Sequence, residues 1–162
     1  MNRALLSKLW RAGGRRAQAL VGRLRPLAPT LEVMAGRPNE LHLETVNLCN
    51  ANCVFCPYQY QERDVRTMEE AVFEKALADF VAVGGGDVFF TPIVGDALID
   101  KQIVPRIRRA RAYPQVGRIK LITNMILAHK RGIDELAESG LSLLMVSIAG
   151  FDADMYRRVY RS

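Results

Sequence analysis

Hydrophobic residues from position 41 onward form short continuous runs that alternate with longer stretches of helical spacing. The short runs predict four strands, at 41–46, 87–94, 118–123 and 143–148. The longer stretches predict helices at 71–83, 103–113 and 133–139. A last helix begins at Asp152, a residue type favoured as an N-cap. This alternation is typical of an α/β protein with a parallel sheet and right-handed crossovers.

The helix at 71–83 carries signals for its start, its end and its buried face. Thr67 and Glu70 have capping-box spacing, in which each side chain bonds the other residue's backbone N–H. Gly84 is suited to end the helix in the left-handed conformation. The predicted apolar face is Val72, Phe73, Ala76, Leu77, Phe80 and Val81. The strand that follows, at 87–94, is apolar enough to be covered on both faces.

The net charge of +6 divides the chain into two regions. Residues 1–36 hold seven basic residues and one acidic residue, so the whole excess lies there. Residues 37–162 are electrically balanced and have the length of one domain. A basic groove for nucleic acid is therefore not expected in the body of the protein.

The region 1–36 is a basic, amphipathic extension in which leucines recur at helical spacing. Four interpretations remain open for it: a solvated leader, contact with an anionic membrane surface, docking on a partner, or an organelle transit peptide. No uninterrupted apolar run approaches the ~20 residues of a membrane span.

All three cysteines, Cys49, Cys53 and Cys56, follow the first predicted strand within eight residues. An odd number of cysteines does not suit a disulfide framework. Three soft thiolates in so short a loop can converge on zinc or on an iron–sulfur cluster, leaving one coordination position open. Three cysteines packed as small hydrophobic side chains are the structural alternative.

Polar residues also follow the other three strands, at Gly95-Asp96, Thr123-Asn124 and Ser147. Ligands of parallel α/β sheets bind at the carboxyl ends of the strands, so these residues are candidates for the same site. Each has a structural alternative. Asp96 can act as a helix cap, and the Ser147 hydroxyl can bond to backbone.

The segment 44–57 resembles the cluster loop of radical S-adenosylmethionine (radical SAM) enzymes. The likeness lies in the Cys-x3-Cys-x2-Cys spacing and in the aromatic Phe55 before the last cysteine. It implies that Cys49, Cys53 and Cys56 bind a 4Fe–4S cluster whose fourth iron is chelated by S-adenosylmethionine. It also implies that Phe55 borders the adenine of that cofactor.

Weaker matches follow the other strands. The segment 92–98 resembles the family's glycine–glutamate motif, with Asp96 in place of Glu. Thr123-Asn124 resembles a Thr-Asn-Gly turn, and the segment 147–150 resembles a Ser-Ile-Asp-Gly strand end. The resemblance thus implies cofactor contacts by Gly95, Asp96, Thr123, Asn124 and Ser147.

The fold implied by this resemblance is a partial (βα) barrel of six strand–helix units, of which about four are recognised here. We therefore expect residues 37–162 to be a C-terminally incomplete core domain, the front part of a longer protein. The implied reaction is reductive cleavage of S-adenosylmethionine to a 5′-deoxyadenosyl radical, which abstracts hydrogen from a small molecule, sugar or peptide. An electron donor such as flavodoxin or ferredoxin and a cytoplasmic setting are also implied. A non-catalytic iron–sulfur module for binding or electron transfer, and a small zinc-binding domain, remain as alternatives.

Overall fold

The computed structural model describes residue 36 and residues 38–161, and its framework is one sheet of four parallel strands. In chain order the strands are β1 (Glu40–Leu43), β2 (Gly86–Phe90), β3 (Val116–Thr123) and β4 (Leu143–Val146). Their order in space is the same as their order in the chain. The predicted parallel α/β arrangement is confirmed, whereas the predicted extension lies outside the described residues except for Gly36.

Helices connect and follow these strands. They are α1 (Glu70–Ala82), α2 (Ile103–Arg111), α3 (Ala128–Arg131), α4 (Ile133–Ala137) and α5 (Ala153–Tyr160). Two 3-10 turns, Pro57–Tyr60 and Ala97–Ile99, lie in the loops that follow β1 and β2. In the part of the chain that the structure describes, no helix is long and apolar enough to cross a membrane.

The hydrophobic core lies between one face of the sheet and the helices α1 and α2. The buried side chains that form its centre are Phe73, Leu77, Val88, Phe90, Ile103, Ile107, Ile119 and Leu121. Each buried side chain of this size contributes about 1.5–3 kcal/mol through removal of apolar surface from water. This packing fixes the strands, and so the positions from which the loops at their carboxyl ends leave the sheet.

The opposite face of the sheet carries charges. Lys120 Nζ lies 3.0 Å from Glu40 Oε1 and 3.2 Å from Asp87 Oδ2. The same ammonium lies 5.8 Å from the ring centroid of Phe89, which is itself half-buried. The prediction that β2 is covered on both faces is therefore wrong for the described chain. The apolar composition of β2 partly reflects Phe89, which packs against Lys120 and against His42. The ring centroids of Phe89 and His42 lie 5.2 Å apart.

The strands β1, β2 and β4 end earlier than the predicted boundaries, at Leu43, Phe90 and Val146. The apolar residues beyond those points leave the sheet and enter loops. Val46, for example, forms an isolated antiparallel bridge with Thr67. Hydrophobic periodicity cannot locate such a boundary, because residues buried under a loop are as apolar as residues in a strand.

The predicted capping box at Thr67 is wrong. The N-cap of α1 is Glu69, and its side chain makes no capping hydrogen bond. Thr67 is held by its bridge to Val46, and the adjacent Met68 N–H donates to the Thr45 carbonyl at 2.7 Å. Val72, predicted to face the core, is 54% exposed. The predicted cap of α5 is confirmed, since Asp152 Oδ1 accepts from the Met155 N–H at 2.7 Å.

Candidate functional site

The loops after the four strands meet around one pocket with a volume of about 180 Å³. All nine residues singled out in the sequence line it: Cys49, Cys53, Phe55, Cys56, Gly95, Asp96, Thr123, Asn124 and Ser147. Its other lining residues are Thr91, Pro92, Ile122 and Tyr160. Segments nearly 100 residues apart in the chain therefore share one cavity, as expected where parallel strands end at the same edge of a sheet.

The loop that carries the cysteines is held in place by α5. The Asn52 N–H donates to the Tyr160 carbonyl at 3.0 Å, and the Val54 N–H donates to the Val159 carbonyl at 2.9 Å. Cys53 is 8% exposed and packs in a small apolar cluster with Tyr160, which is 2% exposed. The end of the described chain thus forms one wall of the cysteine loop.

The three cysteines are free thiols, and burial raises the pKa of two of them. Desolvation raises the pKa of Cys49, and the charges of Asp96 and the other two cysteines add to this effect. Desolvation and the neighbouring Cys56 raise the pKa of Cys53. Such a site favours protonated thiols until a cationic metal centre displaces the protons.

The donor set fits an iron–sulfur cluster. Within the described ranges, no group of three or more His, Cys, Asp or Glu side chains is already drawn together as a metal site. A zinc ion draws all of its thiolate ligands to about 2.3 Å, whereas a 4Fe–4S cluster takes one thiolate for each iron. Three soft sulfur donors along the wall of one pocket are a donor set that iron accepts.

Asp96 is a buried connector between two loops of the pocket, with 2% of its surface exposed. Its carboxylate accepts from the Leu98 N–H at 3.0 Å, the Thr123 hydroxyl at 2.9 Å and the Asn124 N–H at 2.7 Å. It is also the N-cap of the turn Ala97–Ile99, so the structural role predicted for it is observed. A carboxylate has about four acceptor positions, and three donors leave about one for a ligand.

Gly95 allows the loop after β2 to cross the start of the cysteine loop. Its φ angle is +127°, which residues with a side chain rarely adopt. A Cβ atom at this position would lie 2.8 Å from the Leu48 carbonyl oxygen and 3.1 Å from that of Val46. The adjacent Asp96 N–H donates to the same Leu48 oxygen at 2.9 Å. The backbone geometry is therefore sufficient reason for a glycine at position 95.

Thr123 and Ser147 contribute hydroxyl groups from the ends of β3 and β4. Thr123 Oγ1 donates to Asp96 and accepts from the Met125 N–H at 3.0 Å, so its hydrogen-bonding capacity is used within the protein. The Ser147 N–H donates to the Thr123 carbonyl at 2.9 Å. Its hydroxyl makes no hydrogen bond to the described residues and lines the pocket.

Glu44 is a positioning residue that the sequence analysis did not single out. Its Oε1 accepts from the backbone N–H groups of Ile93, at 2.8 Å, and Val94, at 3.2 Å. Its Oε2 lies 2.6 Å from Arg63 Nη1. Burial acts to raise the pKa of Glu44, but the Arg63 guanidinium and the two N–H groups outweigh it and lower that pKa. Glu44 thus ties together the loops that follow β1 and β2 and the segment around Arg63.

Two stacked tyrosines of α5 were also missed. The rings of Tyr156 and Tyr160 are parallel within 8°, with centroids 4.4 Å apart. The rings of Tyr160 and Phe55 form a T-shaped pair with centroids 6.0 Å apart. Burial raises the pKa of Tyr160, and the nearby Tyr156 and Cys53 add to the effect. Their spacing of four residues on one face of α5 is the signal that could have indicated a packed pair.

Comparisons with known proteins agree with this arrangement. The profile of the Radical SAM superfamily matches residues 43–162. The chain is 28% identical over 127 residues to a GTP 3′,8-cyclase of Lactiplantibacillus plantarum, and the match covers 75% of this chain and 36% of the cyclase. It is 31% identical over 130 residues to the GTP 3′,8-cyclase of Geobacter sulfurreducens, covering 77% of this chain and 38% of that protein. The chain thus spans just over a third of these relatives.

Solved structures share the fold. The crystal structure of BtrN in complex with AdoMet and 2-DOIA matches with a TM-score of 0.60 and 24% identity, over 70% of this chain and 47% of BtrN. Methylornithine synthase (PylB) matches with a TM-score of 0.52 and 14% identity, over 96% of this chain and 46% of that protein. The likeness confirms a partial α/β barrel-like fold. Since the superfamily profile extends from the end of β1 through α5 and includes every strand-end loop of the pocket, the chain belongs to the Radical SAM superfamily.

Proposed function

We propose that this chain is the cofactor-binding part of a radical SAM enzyme. The observation that carries the proposal is that the nine residues matched to the family's motifs line a single pocket although they come from four separate loops. Cys49, Cys53 and Cys56 would bind three irons of a 4Fe–4S cluster. When bound, the cluster and S-adenosylmethionine supply reductive carbon–sulfur cleavage and hydrogen abstraction from a substrate.

The other residues of the pocket would bind and orient S-adenosylmethionine. The Ser147 hydroxyl has no hydrogen-bond partner among the described residues and can bond a ligand, and the exposed ring of Phe55 offers a surface for an adenine. Asp96 has about one acceptor position left, which suits a single N–H of the methionyl ammonium. The buried ring of Tyr160 excludes water from the side of Cys53. Exclusion of water is needed because a reactive intermediate is otherwise lost to side reactions.

The substrate, the electron donor and the location belong to this proposal as well. The curated relatives act on GTP by name, so GTP is the first substrate to assay. A small flavodoxin or ferredoxin is the expected class of reductant, because one electron must enter the cluster. A cytoplasmic setting follows from the need to keep three thiolates reduced.

The test is anaerobic reconstitution with iron and sulfide, followed by metal analysis and visible and EPR spectroscopy. Dithionite and S-adenosylmethionine are then added, with and without GTP, and 5′-deoxyadenosine is measured by chromatography. Iron, sulfide and 5′-deoxyadenosine together support the proposal. Iron and sulfide with no cleavage product would favour the non-catalytic iron–sulfur module, and a colourless zinc-loaded protein would favour the zinc-binding domain.

A further inference from the structure

Two side-chain amides, those of Asn50 and Asn124, lie beside the Cys49 sulfur. The orientation of the Asn124 amide follows from its neighbours. Its Oδ1 accepts from the Ile126 N–H at 3.0 Å, which leaves Nδ2 as the group that faces Asn50 and Cys49. Nδ2 lies 2.9 Å from Asn50 Oδ1 and 4.0 Å from Cys49 Sγ. Nδ2 thus donates to Asn50 Oδ1 and also lies within hydrogen-bond distance of the sulfur.

Asn50 completes the pair and carries an unsatisfied donor. Its Oδ1 accepts from Asn124, so its Nδ2 must point the other way. Among the described residues, Asn50 Nδ2 is the buried side-chain nitrogen that has no hydrogen-bond partner. A buried amide nitrogen without an acceptor is rare in folded proteins.

Iron binding changes the hydrogen bonds that Cys49 can make with these two amides. As a thiol, its sulfur can donate weakly to Asn50 Oδ1 at 4.0 Å. As a thiolate bound to iron it has no hydrogen and can only accept. The donor directed at it is then Asn124 Nδ2, and Asn50 holds that amide in place through the 2.9 Å bond.

We infer that the Asn50–Asn124 amide pair donates a hydrogen bond to the Cys49 sulfur in the cluster-bound protein and thereby raises the reduction potential of the cluster. An N–H donor withdraws electron density from the sulfur, which favours the more negatively charged, reduced cluster. This inference rests on the proposed function. Asn124 acts on the cluster through the Cys49 sulfur, and Asn50 is a positioning residue that holds the Asn124 amide.

The experiment compares Asn50→Ala and Asn124→Ala with the matched control Asn52→Ala, all in the full chain. Asn52 lies in the same loop, but its side chain is exposed, and its backbone bond to Tyr160 survives the substitution. After anaerobic reconstitution, the midpoint potential of each protein is measured by EPR-monitored redox titration. We expect both pair variants to shift to more negative potential and the control to match the wild type. The double variant should shift no further than the larger single shift, because the two amides act as one unit.

A second measurement is made on the wild type, so it remains possible if a variant loses its cluster. Protein labelled with ¹⁵N in the asparagine side chains is reduced and studied by pulsed EPR. A ¹⁵N coupling to the cluster that is absent in the Asn124→Ala variant, or a wild-type coupling alone where that variant loses its cluster, supports the inference. Wild-type potentials in both pair variants, or no ¹⁵N coupling in the wild type, would overturn it. If the wild type binds no iron and sulfide at all, the proposed function fails and this inference fails with it.

Discussion

The hydroxyl of Thr123 lies 2.9 Å from both carboxylate oxygens of Asp96 and so joins the loops after β3 and β2 inside the pocket. The Asn124 N–H reinforces the same junction at 2.7 Å. Because Asp96 also caps the turn Ala97–Ile99, one buried carboxylate sets the relative position of two pocket walls.

Thr123→Val should lower the free energy of unfolding by about 1–3 kcal/mol, since the isosteric change leaves the Met125 N–H without its acceptor and removes a donor from Asp96. Urea unfolding of the wild type and the variant measures this difference. The control is Thr67→Val, whose exposed side chain should change stability by less than about 0.5 kcal/mol. Equal losses for the two variants would contradict the prediction.

Glu44→Gln should give a pH-dependent loss of stability. The folded protein lowers the pKa of Glu44, so its ionised form is stabilising above the unfolded pKa of about 4.3 and the effect disappears as pH falls through the folded pKa. At pH 7 the variant should be less stable by about 1 kcal/mol, because one partner, Arg63, is half-exposed. The difference should shrink as pH falls below about 4.3, and the two proteins should converge only below the lowered pKa of the folded state.

This comparison uses urea unfolding between pH 3 and pH 7. Glu62→Gln is the control, because Glu62 is exposed and has no ion pair among the described residues. A constant difference between wild type and Glu44→Gln across the whole range would show that the carboxylate charge is not the source of the effect.

Gly95→Ala should destabilise the protein by about 1–3 kcal/mol, since a side chain is strained at a φ of +127° and its Cβ would meet the Leu48 carbonyl at 2.8 Å. It should also reduce retention of reconstituted iron by moving the cysteine loop. Thermal unfolding and iron analysis test both effects. Gly36→Ala is the control because no described residue lies within 4 Å of its added Cβ. Unchanged unfolding of the Gly95 variant would refute the steric argument.

Cys49→Ala, Cys53→Ala and Cys56→Ala should each abolish stable cluster binding, because two thiolates cannot hold three irons that need protein ligands. Iron content and the visible spectrum after anaerobic reconstitution are the measurements. Asn52→Ala, in the same loop, should keep the wild-type spectrum. A cysteine variant with full iron content would show that its ligand assignment is wrong.

Deletion of residues 1–36 should leave cluster content unchanged if this basic segment is a solvated leader. Reconstituted iron per chain is compared between the full and shortened proteins. Binding of the full chain, but not of the shortened one, to anionic vesicles at low salt would instead favour the membrane-surface interpretation. Loss of cluster on deletion would show that the segment supports the domain.

The sequence by itself determined the features that depend on neighbouring residues. Cys49, Cys53 and Cys56 lie within one short loop, and the Asp152 cap spans three residues, so both features can be recognised without a structure. The alternation of apolar runs likewise predicted a parallel sheet, because burial on one face imposes its period on each strand or helix.

The tertiary structure decided where the strands end and which distant residues meet. Glu44 binds backbone groups about 50 positions away, Asn124 bonds Asn50 across 74 positions, and Tyr160 packs against Cys53 from the last helix. The Thr67 capping box failed for the same reason, since a bridge to Val46 held the residue outside the helix. Such contacts arise from the packing of whole elements, and a local pattern does not encode the partner across the sheet.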